Sequence, residues 1–344
     1  MEGVNKWQFD FMIEIFTLFL SIKGRLNFLQ FSRYTAHNEQ RYRNQFSKSF
    51  GFLEFNKELV LEHASDHLTI AFDPSYVSKS GKATWGLGKY WSGVAGQAKW
   101  GLEISGIAAI DMDNHTAFHL EAVQTPNDLS ESLLEHYAMA IVQRKEQLLC
   151  LSNYVVADAY FSKHGFVSAL AQHGFETVSR LRDDAALQYN FVGSQKKTRG
   201  RPKKYDGKVD YKQLNGLYMK KIKSDLVSKL YQGVVFSKAL KRDINLVVAY
   251  TKKKGKWKHK LYFSTDLELS AERLLEYYQT RFQIEFTFRD AKQHTGLNHC
   301  QARSENKLHF HFNTSLTAIN IAKITHWMSI EKDKRPPFSM ANIK

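Results

Sequence analysis

The feature that most constrains the fold is the order of strand-like and helix-like segments between His67 and Leu181. His67 to Phe72 is a strand candidate that ends at Asp73-Pro74. Leu102 to Ile110 and Thr116 to Val123 are two more, separated by the turn-prone Asp111-Met112-Asp113-Asn114. Asp128 to Leu148 reads as a helix, with Asp128 and Glu131 spaced like a capping box. Tyr154 to Asp158 is a buried-type strand built on Val155, Val156 and Ala157; it runs into a helix from Ser162 to His173 that Gly174 closes. Phe175 to Leu181 is a fifth strand. Three strands, a helix, a strand, a helix and a strand predict a mixed α/β sheet. Residues 1–65 read as mostly helical, and Ala271 to His294 and Ser304 to Met328 as long helices.

Composition narrows the class. At 344 residues and 43% hydrophobic, the chain is long and apolar enough to bury a sizeable core. Cys150 and Cys300 are its only cysteines, which excludes a disulfide scaffold and a zinc ribbon. The most apolar stretch, Trp7 to Ile22, is interrupted by Asp10 and Glu14. Its uncharged run from Ile15 to Ile22 is far short of the roughly 18 residues that read as a membrane span. It also lacks a basic start and a small-residue cleavage site, so it reads as an amphipathic helix. The expected setting is reducing and cytoplasmic, with no membrane partner.

The formal net charge is +15, and it is unevenly placed. Residues 191–260 hold 21 Lys and Arg against Asp206, Asp210, Asp225 and Asp243, a net of +17 that leaves −2 for the rest. Such a segment points to a polyanion. One cluster surrounds Arg199-Gly200-Arg201-Pro202, which resembles the short hook by which arginines enter a narrow minor groove. The other reads as a β-hairpin, with Ile244 to Tyr250 as one strand, Lys252 to Gly255 as the turn and Lys256 to Phe263 as the return. A period of two puts Lys256, Lys258 and Lys260 on one face, opposite Trp257, His259 and Leu261. That face is either a ribbon tracking phosphates or a solvated surface over a small packed core.

Three acids are candidates for chemistry. The proline after Asp73 biases it to extended backbone, which predicts an acid at a strand end, and Asp158 also closes a strand. Glu285 lies on a predicted helix where Tyr278, Arg281, Glu285 and Lys292 fall within roughly 60° of arc, with Arg289 close by. By spacing alone, Arg281, Glu285 and Arg289 also suit a salt-bridged solvated face.

Tyr278, Arg281, Glu285 and Lys292 reproduce Y-(2)-R-(3)-E-(6)-K, and the chain thereby resembles the insertion-sequence-four (YREK) group of bacterial DDE transposases. Ala-Phe-Asp73-Pro-Ser and Val-Val-Ala-Asp158-Ala-Tyr-Phe resemble that family's first and second aspartate motifs, and the likeness runs from about Leu68 to about Lys323. The resemblance implies a ribonuclease-H-like core with flanking helices and a β-rich insertion between the second aspartate and the glutamate. It implies two magnesium ions, with manganese able to stand in, held by Asp73, Asp158 and Glu285. Hydrolysis at the element's ends would precede attack of the freed 3′-hydroxyl on target DNA. Tyr278, Arg281 and Lys292 would contact phosphates near the cleavage site; Arg289 beside that stripe, and Arg199, Arg201, Lys256, Lys258 and Lys260 of the basic segment, are further DNA-binding candidates by charge and pattern. Trp257 is a candidate for stacking on a displaced base, although a structural core tryptophan is the favoured reading.

The implied partners are double-stranded DNA, as element ends and target, and a second copy in a synaptic homodimer. The implied location is the bacterial nucleoid. The expected division is a short or truncated helical DNA-binding part (1–65), the first part of the core (66–190), the basic insertion (191–265), closing helices with Glu285 (266–330) and a tail (331–344). Asp111 and Asp113 read as solvated turn acids, and His309 and His311 as an unrelated pair without a third metal ligand. Gly86, Gly88, Gly93, Gly96 and Gly101 read as a loop that lets DNA approach. A different ribonuclease-H-like nuclease and a non-catalytic DNA-binding relic remain as alternatives.

Overall fold

Asparagines set the first helices. Asn5, Asn27 and Asn38 each accept a backbone N–H three residues on, at 2.9, 2.9 and 3.0 Å. They start α1 (Lys6–Ser21), α2 (Phe28–Arg33) and α3 (Glu39–Gln45), and α4 (Phe52–His63) follows. The computed structural model describes residues 5–195, 201–328, 330–331, 334–336 and 338–343. Among the described residues no helix is long and apolar enough to cross a membrane. The chain forms two units, one of residues 1–136, 146–152 and 282–344 and the other of 137–145 and 153–281.

The sheet of the first unit is built on a long strand. β1 (Leu68–Ser78), β2 (Gly88–Ser92), β3 (Gln97–Asp111) and β4 (Thr116–Gln124) are all antiparallel around β3. β1 pairs with one edge of β3 from Gly101 to Asp111, while β2 and β4 lie end to end along the other. The glycine-rich segment is therefore largely a hairpin, with Gly93 and Gly96 in its turn. Asp111 also departs from expectation. It ends β3 fully buried, and its carboxylate accepts from Ser65 N and Oγ (3.0 and 2.7 Å) and from Asn114 N and Nδ2 (3.0 and 2.7 Å). Four donors offset its desolvation and tie the turn shut.

α9 (Gln283–His294) and α10 (Glu305–Trp327) belong to the same unit. α10 is buried on nearly all sides, which explains its lack of an apolar stripe. It protects β4. Asn313 Oδ1 accepts Ala122 N at 2.8 Å while its Nδ2 donates to Ala122 O at 3.0 Å. Seven residues on, Asn320 does the same to His119, at 2.9 and 2.7 Å. Asn56 of α4 donates to Leu120 O at 3.0 Å. Three amides thus take the place of a further strand at a buried edge. His311 is likewise structural, with Nε2 donating to Gly296 O at 2.9 Å.

A capping box does precede α5 (Leu133–Val142), but it is Ser132 with Glu135, four residues later than expected. α6 (Lys145–Leu149) follows. The second unit then alternates: β5 (Tyr154–Val156), α7 (His164–Gln172), β6 (Glu176–Leu181), β7 (Leu187–Asn190) and β8 (Tyr205–Lys208). It continues with β9 (Lys220–Ser224), β10 (Ser228–Ser237), β11 (Arg242–Lys253), β12 (Lys256–Ser264) and α8 (Ala271–Thr280). The strands run in the order β5-β6-β12-β11-β10-β7-β8, with β9 on β10. β5 and β6 are parallel, as the α7 crossover requires, and the others pair antiparallel. Strands of the basic segment share one core with β6 and β7, through Leu181, Leu187, Val235, Leu246, Leu261 and Phe263.

Candidate active site and nucleic-acid surface

Asp73 does not end its strand. β1 runs through Pro74 to Ser78, so Asp73 sits mid-strand with Gly106 of β3 as its cross-strand neighbour. The bias that proline places on the preceding residue is toward extended backbone, and a strand satisfies it as well as a turn does. Directly opposed residues share a face of the sheet, as do residues two apart, so Asp73, Ser75 and Gly106 point the same way.

α9 covers that face. A methyl group built on Gly106 would collide with the Phe288 ring, so the missing side chain is what lets α9 lie close. One turn further on, Lys292 Nζ donates to Ser75 Oγ at 2.8 Å. Burial holds the Lys292 ammonium below the usual lysine range, and the Asp73 charge opposes that fall. Glu285, Phe288 and Lys292 are spaced i, i+3 and i+7, one stripe of the helix. Glu285 also lies in the first turn of α9, where a carboxylate is favoured by the helix dipole. Asp73 and Glu285 are both half-buried.

The helix expected over Ala271 to His294 is two helices. It breaks at Arg281-Phe282, between α8 and α9. Thr280 Oγ donates to Glu276 O at 2.7 Å, the kind of side-chain competition that bends a helix. Tyr278 and Arg281 therefore lie on the α8 side, and Glu285 and Lys292 on α9. The Tyr278 ring rests 5.0 Å from that of Tyr262 on β12, and the Arg281 guanidinium lies 6.0 Å from the Tyr278 ring. Arg289 is exposed over Phe286 at 4.5 Å, 3.3 Å from Asp290.

Asp158 follows the buried strand β5 by two residues. Its Oδ1 accepts Tyr160 N at 2.8 Å, capping a single turn from Ala159 to Phe161, and its carbonyl accepts Ser179 Oγ at 2.8 Å. Both bonds fix the backbone that presents this carboxylate.

Residues 103–321 match the family described as Transposase DDE domain. The chain belongs to the DDE transposase family. The matched span contains Asp158, Glu285 and the whole basic segment. Asp73 precedes it, on a strand whose cross-strand neighbour lies within it. No curated protein matches the chain. The substrate of a transposase is DNA, and DDE enzymes generally use divalent metal ions. Carboxylate oxygens are the hard donors magnesium takes, so the chemistry of Asp73, Asp158 and Glu285 fits such an ion. Among the described residues no three His, Cys, Asp or Glu side chains are gathered as a metal site.

The transposase carries its basic hairpin as β11 and β12. The turn is narrower than the sequence suggests, two residues with positive φ, Lys254 (50°) and Gly255 (77°). Lys256, Lys258 and Lys260 are exposed. Trp257 is not a core residue. It is 39% exposed, with Lys229 Nζ 4.5 Å from its ring, at the rim of a cleft of about 630 Å³ with Tyr211, Tyr231, Tyr250 and His259. Its strand is still solvent-facing at that point, and burial begins only at Leu261. Arg201 is exposed, and Arg199 lies outside the described residues. Sequence reasoning missed Ser75 and Gly106. Ser75 stands inside the Ala-Phe-Asp73-Pro-Ser motif but was given no role, and nothing in the sequence marks Gly106, whose role depends on what crosses it.

Proposed function

We propose that this transposase cuts DNA at the ends of an insertion sequence and joins the freed 3′ ends to target DNA, on a ribonuclease-H-like core. Asp73, Asp158 and Glu285 are its three carboxylates, on the YREK pattern. The observation that carries the reading is the seating of α9. With Phe288 over Gly106 and Lys292 bonded to Ser75, the helix that bears Glu285 covers the strand face that bears Asp73.

Two magnesium ions held by the three carboxylates would supply stabilisation of charge on the attacking and leaving oxygens. The chain's own residues do the rest. Lys292 is positioned by Ser75, and although burial lowers its ammonium from the usual lysine range, the Asp73 charge opposes that fall, which suits it to a phosphate oxygen beside the reacting bond. Tyr278, Arg281 and Arg289 orient the strand, and Lys256, Lys258 and Lys260 hold flanking phosphates. Trp257, exposed beside Lys229, offers a ring for an unstacked base. A second copy completes the synaptic complex.

The test is magnesium-dependent cleavage and strand transfer on duplexes carrying the inverted repeats that flank the gene. Glu285→Gln is expected to lower both by at least about 10²-fold. Equal activity in variant and wild type overturns the assignment of Glu285. Cleavage without joining identifies a nuclease instead.

A further inference from the structure

The first unit contains a second polar surface that the reading above leaves unused. A cleft of about 1030 Å³ is lined by Arg25, Arg43, Lys79, Arg303 and Lys307, with Glu39 as the one acid among the described residues that line it. Glu39 is already engaged, since Arg43 Nε donates to it at 2.8 Å. Lys79 is engaged as well. Its Nζ donates to Cys300 O and Ala302 O, at 2.5 and 2.9 Å, so its part is to hold the 300–302 strip as one wall. Arg25, Arg303 and Lys307 remain, and among the described residues none of the three has an acidic partner. Three uncompensated cations around a concave, largely polar surface suit the oxygens of successive phosphates, and the arginine fork suits them best.

The position of the cleft says which phosphates. Tyr76, Ser78 and Lys79 line it, and Tyr76 and Ser78 belong to β1, the strand of Asp73. A strand advances about 3.3 Å per residue, so along its axis the cleft runs from about 10 Å past Asp73 at Tyr76 to about 20 Å at Lys79, with Tyr76 and Ser78 alternating to the face opposite Asp73. Phosphates on one strand of B-form DNA recur about every 3.4 Å of axis, so that span corresponds to about three to six nucleotides. Trp100 of the neighbouring strand β3 also lines it, 61% exposed, and its carbonyl accepts the Tyr76 hydroxyl at 2.7 Å.

We infer that this cleft is a DNA-backbone site, in which Arg25, Arg303 and Lys307 hold phosphates about three to six nucleotides from the bond cut beside Asp73. The inference rests on the assignment of Asp73 to the active site. It brings the N-terminal helical region into DNA binding through Arg25, which follows α1.

The experiment compares wild type with the triple variant Arg25→Ala/Arg303→Ala/Lys307→Ala, measuring duplex affinity against salt concentration. Three lost phosphate contacts are expected to flatten the slope of log K on log salt by up to about 2.7 and to weaken binding tenfold or more at moderate salt. Uncharged methylphosphonates placed three to six nucleotides from the cut should weaken wild-type binding and leave the variant unaffected. The charge-keeping variant Arg25→Lys/Arg303→Lys should retain most of the slope, which separates lost charge from lost fold. An unchanged slope in the triple variant, with wild-type DNA still cleaved, overturns the cleft alone. Cleavage that survives Asp73→Asn, with the cleft variant still flattened, overturns its placement relative to Asp73. Absence of salt-dependent binding in the wild type overturns both readings.

Discussion

Gly106 determines how close α9 comes to β1, through an atom it does not have. The ring of Phe288 fills the space where a side chain would begin, opposite Asp73 in register. Gly106→Ala is therefore expected to push the ring, and with it α9, away from the strand. Overpacking of this kind costs about 1–3 kcal/mol and shifts backbone. A displaced Glu285 and a strained Lys292–Ser75 bond should lower activity more than the loss of stability alone explains. Adding Phe288→Leu to Gly106→Ala makes room for the new methyl and should recover part of both. Urea unfolding and cleavage assays on the two single variants and the double variant measure this coupling, and additivity of the two substitutions counts against it. Lys292 was legible in the sequence from its spacing to Glu285. Its partner Ser75 lies 217 residues away and was not, because a bond of that range depends on how sheet and helix are layered.

The elements were legible where periodicity or capping is local. β3 with β4, and β11 with β12, follow from alternation around turn-prone residues, and α7 follows from its closing glycine. Within residues 1–65, expected only to be mostly helical, the individual starts at Asn5, Asn27 and Asn38 emerge from the structure. The break between α8 and α9 was not legible, because Thr280 reads as an ordinary helical residue until its hydroxyl is seen to take the Glu276 carbonyl. The length of β1 was hidden by Pro74 for a related reason: local bias says extended, and only pairing with β3 says how far. α10 shows the same dependence on context. Asn313 and Asn320 are polar residues on a helix with no polar face, and they make sense only against the edge of β4. Removing Asn313 strands the N–H and C=O of Ala122. Each buried group left unpaired costs about 1–3 kcal/mol. Asn313→Ala is thus expected to lower the stability of the first unit by several kcal/mol, read as a shift in the urea midpoint. Asn313→Gln should not restore it, because an added methylene misplaces both bonds. A change below about 0.5 kcal/mol, the range of ordinary surface substitutions, would mean that water or a relaxed strand replaces the amide.

Across the whole molecule, exposed and buried ionisable groups have different consequences. The net charge of residues 191–260 is +17, the bases among its described residues are largely exposed, and that charge governs how DNA binding responds to salt. His119, His311 and Lys323 are buried in the first unit, and they govern how its stability responds to pH. Burial pushes both imidazoles down to about 4, against 6.5 for an ordinary ring, and their bonds to Asn313 and Gly296 offset it only in part. Below 6.5 the unfolded chain gains protons on these rings while the folded chain does not. The contribution of these two rings is therefore fully present above pH 6.5 and is lost as pH drops toward 4, by up to about 1.4 kcal/mol per pH unit for each ring. Lys323 shifts in the same sense. Burial lowers it to about 7 from 10.5, with Asp111 and Asp290 opposing, so the unfolded chain binds the extra proton between those values. Its charged form is a penalty that is present in full below pH 7 and relieved as pH rises toward 10.5. Lys323 donates to the Ala117 carbonyl and lies against the rings of Phe118 and Phe338, so a methionine fills its site without a charge. Urea midpoints should thus climb from pH 4.5 to 6.5 and again above pH 7. His119→Gln should flatten the first rise, and Lys323→Met should raise stability at neutral pH and flatten the second. A wild-type midpoint that stays level across both ranges would mean that these groups exchange protons freely in the folded protein.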